Sequence, residues 1–168
     1  MLAEVHLISG ELNLAAELFE RAFALGCQLE DPCWEGISRR GVGLVLARRG
    51  HPEDAIAVLE DAYARSSRHP DTDRWIVAYI LDALCATAID AGRQPHRALN
   101  DLESLAARTG MREFLARAYW HRSRVGDRSA AAAARLLASD VDNPQLHELL
   151  REVPEVTGCT RASVSVGT

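Results

Sequence analysis

Small and large apolar residues recur along the chain in phase with glycines. After Gly10 and Gly50, an alanine, a large apolar residue and a second alanine follow at offsets of five, nine and twelve residues. The same offsets return after Gly126 with arginine at the large position, and after Gly92 with a one-residue insertion beside Pro95. These positions are Ala15, Phe19 and Ala22, then Ala55, Leu59 and Ala62, then Ala98, Leu102 and Leu105, then Ala131, Arg135 and Ala138. Small residues let antiparallel helices approach closely, so the pattern predicts a stack of helical hairpins.

Residues that favour helix ends divide this pattern into nine predicted helices. Asp31-Pro32 and Asn143-Pro144 each place a capping side chain before a first-turn proline. Gly26 and Gly110 suit helix ends. We therefore expect helices near residues 1–9, 13–25, 32–49, 52–67, 73–91, 95–109, 111–125, 129–140 and 144–151.

The predicted fold class is all-α. We expect a right-handed α-solenoid of antiparallel helical hairpins, with about eight helices and a short C-terminal capping helix. Residues 1–153 would form this helical-repeat domain, and residues 154–168, which carry no helical period, a flexible tail. The helix before Gly10 is much shorter than the helix before Gly50. We therefore expect the first helix to be truncated and the chain to be a fragment of a larger protein.

The second hairpin resembles the tetratricopeptide repeat. Val42-Gly43 lies three residues before Leu46 and seven before Gly50, like the Leu-Gly pair of a tetratricopeptide first helix. The last spacing between the recurring glycines, 34 residues, equals the period of that repeat. The resemblance implies that the first helix of each hairpin lines a concave groove.

Carrying the tetratricopeptide register along the chain assigns a set of groove residues. The set combines arginine with aromatic side chains, which interface hot spots favour. The alternative is an ordinary solvated helix face, and the sequence leaves open whether Trp34, Trp75 and Trp120 are core or contact residues. The predicted partner-binding residues are Arg40, Leu44, Arg48, Tyr79, Asp82, Asp90, Arg117, Trp120 and Arg124.

The charge of the chain argues against direct nucleic-acid binding. The net charge is −5, whereas a nucleic-acid footprint needs an excess of basic residues. Residues 1–35 hold seven acids and one arginine, and residues 111–135 hold six arginines and two acids. This polarity would suit head-to-tail contacts or an acidic ligand. An exposed, truncated first helix would promote a homodimer through the repeat ends. Because no apolar run reaches the roughly 18 residues of a membrane span and no secretory leader opens the sequence, we expect a cytoplasmic protein without a membrane partner.

No pattern typical of a catalytic, cofactor or metal site occurs in the sequence. The four cysteines form no CxxC pair, and the six histidines form no HExxH motif. Gly41-Val42-Gly43 falls inside a predicted helix, where the backbone amides are already bonded. Ser66-Ser67 and His69 lack an acid that the sequence positions to complete a triad. We therefore expect no enzyme activity, no cofactor and no metal.

Residues 112–150 resemble the C-terminal end of large bacterial ATP-dependent regulators. These combine an ATPase of the signal-transduction class, a helical-repeat region and a LuxR-type, SARP-type or cyclase domain. The resemblance is carried by Tyr119-Trp120-His121-Arg122, Gly126-Asp127, the alanines at 130–134 and Val141-Asp142-Asn143-Pro144. It implies the repeat region of a transcriptional or signalling regulator, which would bind a protein or peptide segment, including other domains of the same parent chain. The alternative is a sensor that holds a small effector in the groove, as MalT-type activators would suggest, with Trp120 and Arg117 or Arg124 as contacts.

Overall fold

The described part of the chain is all-helical, as the sequence predicts. The structure is a computed structural model that describes residues 2–68 and 73–151, and within them there are nine helices and no strand. The predicted tail at 154–168 lies outside the described residues. The helices are α1 Leu2–Ile8, α2 Leu12–Gln28, α3 Pro32–Arg48, α4 Pro52–Ser66, α5 Arg74–Asp90, α6 His96–Thr109, α7 Arg112–Arg124, α8 Ala130–Ala138 and α9 Pro144–Arg151.

Local signals in the sequence set most of the helix ends. The Oδ1 atom of Asp31 accepts hydrogen bonds from the backbone N–H groups of Cys33 and Trp34 at 2.9 and 3.2 Å, which confirms the predicted cap of α3. Asn143 caps α9 in the same way. The four recurring glycines all follow the first helix of a hairpin and have positive φ, +81° at Gly10, where a side chain would strain the backbone.

Gly26 does not end a helix, so that prediction is wrong. It is buried inside α2, which continues to Gln28. A Cβ at Gly26 would lie 2.9 Å from the backbone nitrogen of Glu35, at the start of α3. The glycine is therefore needed for close approach of two helices rather than for a turn. Gly110, by contrast, is the C-cap of α6 with φ +71°, as predicted.

Close helix packing explains the recurring positions after the glycines. Phe19 of α2 is 1% exposed and fills the notch at Gly41 of α3, where a Cβ would lie 2.2 Å from the phenyl ring. Leu59 of α4 fills the notch at Gly43 in the same way. In the first two hairpins the large apolar residue at offset nine thus enters the space that a glycine leaves in α3. In the last hairpin the same offset holds the partly buried Arg135.

The helices pack as two layers along the chain. Each helix packs against the next one, and the odd-numbered helices α1, α3, α5, α7 and α9 also contact one another in succession. Within the described ranges, the backbones of the even-numbered helices do not approach one another. A helix with the length and apolar character to cross a membrane is absent from the part of the chain that the structure describes. The odd-numbered layer carries the candidate site.

Candidate partner-binding site

Helix periodicity places the predicted groove residues on the layer of odd-numbered helices. One side of α5 carries four residues whose intervals are close to multiples of 3.6 residues: Trp75, Tyr79, Asp82 and Asp90. Equivalent stripes lie on α3 and α7. We call the side of the odd-numbered helices that these stripes mark the odd-helix face; its residues are Arg40, Leu44, Arg48, Trp75, Tyr79, Asp82, Asp90, Glu113, Arg117 and Arg124, with Trp120 buried beneath them.

An aromatic cluster of Arg40, Trp75, Tyr79 and Phe114 joins α3, α5 and α7. The guanidinium of Arg40 lies 5.2 Å from the centre of the Tyr79 ring, and its Nε atom donates a hydrogen bond to the Tyr79 carbonyl at 3.1 Å. The Tyr79 ring packs edge-to-face on Phe114 and Trp75, with centroid distances of 4.9 and 5.9 Å. Trp75 is 47% exposed and Tyr79 is 40% exposed. The cluster therefore offers aromatic surface that neighbouring helices hold in place.

A charged cluster of Asp82, Arg117 and His121 lies beside the aromatic cluster. The Asp82 carboxylate shares a hydrogen bond with Nε2 of His121 at 2.9 Å and pairs with Arg117 at 3.4 Å. Arg117 also binds Glu113 on its own helix at 3.0 Å. Burial by itself would raise the pKa of Asp82, but the hydrogen bond from His121 and the charges of His121, Arg117 and Arg40 bring the pKa below its ordinary value. Asp82 is therefore an ionised link between α5 and α7.

His121 lies entirely within the protein, which its position in the sequence did not indicate. Its side chain is 0% exposed, and its Nδ1 atom has no hydrogen-bond partner among the described residues. Its ring packs on Trp120 with a centroid distance of 4.8 Å. The imidazole thus fills space and binds Asp82 through one nitrogen only.

A second ionic contact lies nearer the end of α5. Arg124 pairs with Asp90 at 2.6 Å, and its guanidinium lies 4.8 Å from the Trp120 ring centre. Trp120 itself is only 7% exposed and packs in a core cluster with residues such as Leu146. Of the three tryptophans whose role the sequence left open, Trp120 is a core residue, whereas Trp34 and Trp75 are exposed on the surface.

The structure brings most of the predicted groove residues together, but not all. Leu44 is partly buried and packs against the core. Arg48 is exposed at the end of α3 and has no ion-pair partner in the described ranges. Trp75, Glu113 and His121 were missed, although the interval of four residues between Trp75 and Tyr79 was a signal that both share one side of α5.

The stability of the protein is expected to fall when acid protonates Asp82. The folded-state pKa of Asp82 lies below its ordinary value of 3.8, so the unfolded chain takes up the proton first as the pH falls. The stabilising effect is therefore complete above 3.8 and is lost as the pH falls through the folded-state value. Urea unfolding of the wild type and Asp82→Asn from about pH 5 downward tests this. The difference between their unfolding free energies should shrink below 3.8, and a constant difference would contradict the prediction.

Within the described residues, the thiols of Cys33 and Cys85 lie in surroundings that favour their protonated form. Burial raises the pKa of Cys85 to about 12, and burial with the charges of Asp73 and Asp31 raises that of Cys33. The hydroxyl of Ser66 donates to the Tyr63 carbonyl, and His69 lies outside the described residues. Across residues 2–68 and 73–151 there is no group of three potential metal ligands.

The odd-helix face presents half-exposed aromatic rings beside ion pairs that join α5 and α7. Comparison of the chain with models of protein families, with curated proteins and with solved structures finds no match. The function proposed below therefore rests on the residues of this chain.

Proposed function

We propose that the chain is a non-enzymatic interaction module that binds a protein or peptide segment on its odd-helix face. In this proposal the hairpins form a right-handed, tetratricopeptide-like solenoid. The layered packing supports it, because the odd-numbered helices contact one another whereas the backbones of the even-numbered helices in the described ranges do not. A stack with one tighter layer curves toward that layer, so the odd-helix face would be its concave side.

The aromatic cluster is the single observation that carries the proposal. Trp, Tyr and Arg are the residues most enriched among interface hot spots, and Trp75, Tyr79 and Arg40 contact one another here. Both aromatic side chains are exposed by 40% or more although they are held against other rings. Because these rings are already restrained in the free protein, a partner would lose little side-chain entropy on binding them.

The proposed context is the helical-repeat region of a bacterial transcriptional or signalling regulator in the cytoplasm. The resemblance of α7 to α9 to the C-terminal ends of such regulators supports this context. The partner would then be another domain of the same parent chain or a separate protein. Either partner would present a surface with charged and apolar groups to the odd-helix face, because that face combines exposed aromatics with balanced ion pairs.

A small effector in the same groove has less support. Arg117 and Arg124, which would contact an anionic effector, already bind Glu113, Asp82 and Asp90. A ligand would have to replace these contacts and would gain only the difference in free energy. The interaction module is therefore the preferred function.

The double variant Trp75→Ala/Tyr79→Ala is expected to bind its partner at least about 30-fold more weakly, because truncation of a hot-spot residue costs about 2 kcal/mol or more. The measurement is quantitative affinity capture from cells that express the tagged chain, followed by titration of the captured protein. Circular dichroism should show that the double variant remains folded and helical, because the ion pairs between α5 and α7 are retained, and binding is compared at a temperature below its unfolding midpoint.

Trp34→Ala is the matched control for this experiment. Trp34 is 45% exposed, close to the value for Trp75, but it lies against Gly26 of α2 and outside the odd-helix face. Trp34→Ala should retain the partner. The proposal is wrong if the double variant retains every protein that the wild type captures, or if Trp34→Ala loses the same proteins to the same extent.

A further inference from the structure

A cleft between α4 and α6 lies on the opposite side of α5 from the odd-helix face. The backbones of α4 and α6 do not approach each other, and α5 separates them. Leu84 and Ala88 of α5 line the cleft, and each lies two residues, or roughly 200° around the helix, from a position of the odd-helix stripe. The cleft is open to solvent along one side and has a volume of about 740 Å³. We call it the outer cleft.

The size of the outer cleft suits a small molecule. Ligand sites for small molecules typically occupy about 300–1,000 Å³ and combine apolar walls with a few polar groups. Leu84 and Ala88 form the floor, and Ile56, Ala64 and Ala98 belong to the walls. An apolar molecular body could therefore replace water in contact with these side chains.

The polar groups of the outer cleft converge from two helices. From α4 and its C-cap, three polar residues recur at intervals of three and four and so face the cleft together: Glu60, Tyr63 and Ser67. Asp101 of α6 stands opposite and accepts a hydrogen bond from the Tyr63 hydroxyl at 3.2 Å. This bond bridges the cleft, and beyond it a second cavity of about 430 Å³ shares Tyr63, Ser67 and Asp101.

The carboxylates of the outer cleft are less engaged in ion pairs than its arginines, so the cleft favours a cation. Arg93 is already bound to Glu53 through two of its nitrogens. Arg97, whose side chain is 92% exposed, approaches Asp101 only to 3.9 Å, and such an exposed pair contributes little. Glu60 has no ion-pair partner in the ranges that the structure describes. Burial raises the pKa of Tyr63, and the charge of Asp101 raises it further, as expected in a negative field.

We propose that the outer cleft binds a small organic amine, with its ammonium group between the carboxylates of Glu60 and Asp101 beside the Tyr63 ring and its apolar body on Leu84 and Ala88. A carboxylate has room for several hydrogen bonds, so Asp101 can bind the ammonium group while it keeps the bond from Tyr63. The aromatic ring adds a cation–π attraction. This site shares no residue with the odd-helix face, so it extends beyond the proposed function and can fail independently of it.

Three probes with nearly the same apolar body and different charge test the proposal. These are 2-phenylethylamine, 2-phenylethanol and 3-phenylpropanoate, titrated into the ¹⁵N-labelled full chain by two-dimensional NMR. The amine should bind with a dissociation constant on the order of 1 mM, about tenfold tighter than the alcohol, and the carboxylate more weakly than either. The amide signals that shift should include Glu60, Tyr63, Ala88 and Ala98.

Two variants separate a charge-selective site from general apolar binding. Glu60→Gln changes an exposed residue and should weaken amine binding at least about threefold, and Glu60→Gln/Asp101→Asn should reduce it to the affinity of the alcohol. Glu20→Gln, an exposed change on α2, should leave it unchanged. The proposal is overturned if the amine binds no tighter than the alcohol, if its preference survives the double variant, or if the shifts map outside the outer cleft.

Discussion

Asp82→Ala is expected to lower the free energy of unfolding by about 3 kcal/mol, because it removes the anion from a largely buried ionic cluster. Arg117 and His121 would lose their shared acceptor on α5. Arg117 and Arg40 also repel each other across this cluster, and Asp82 offsets that repulsion. The measurement is denaturant unfolding at neutral pH, followed by circular dichroism.

Asp90→Ala is the control for the buried position. Asp90 lies on the same helix and also pairs with an arginine of α7, but its side chain is mostly exposed. Its replacement should cost no more than about 1 kcal/mol, because water screens an exposed pair. If the two variants are equally stable, the junction between α5 and α7 does not depend on the buried cluster.

Gly41→Ala is expected to destabilise the protein by about 1–3 kcal/mol, although alanine is the better helix former by about 1 kcal/mol. The new Cβ would lie 2.2 Å from the ring of Phe19, which is buried and cannot turn away without disturbing α2. Thermal and urea unfolding of the variant measure this effect. A gain in stability would show that α2 and α3 adapt freely at this contact.

A double-mutant cycle with Phe19→Leu tests the assigned cause. Leucine removes ring atoms from the crowded space, so Gly41→Ala should cost less in the Phe19→Leu background than in the wild type. The expected coupling is about 1 kcal/mol. Strict additivity of the two changes would place the strain of Gly41→Ala elsewhere.

Local features of the sequence were sufficient to predict the helices. The caps at Asp31 and Asn143 and the turn at Gly110 depend on hydrogen bonds and dihedral angles within a few residues, and all three are confirmed. Gly26 misled the prediction because the same residue suits both a helix end and a close helix contact. The choice between them depends on Glu35, which belongs to the next helix.

The sequence was enough to predict which residues of the candidate site share one side of a helix. It was not enough to predict which of them form ion pairs across helices. Helix periodicity places Asp82 and Arg117 on the same layer, but a partner 35 residues away in sequence can be identified only when the helices are packed. Trp120 shows the same limit, because a tryptophan on a stripe suits either a core or an interface. The outer cleft lies between α4 and α6, so the sequence of one helix alone does not predict it.

In the proposed solenoid, the unequal contact within the two layers would leave one direction in which the stack bends most easily. Bending that separates α4 from α6 breaks few backbone contacts, whereas bending that separates α3 from α5 or α5 from α7 breaks the odd-numbered layer. Thermal fluctuations should therefore mainly change the curvature of the stack. A ligand bound in the outer cleft would favour one curvature. It would therefore also favour one spacing between the helices that carry the aromatic cluster, on the other side of α5. By thermodynamic linkage, a partner bound to that cluster would change the affinity of the outer cleft by the same factor.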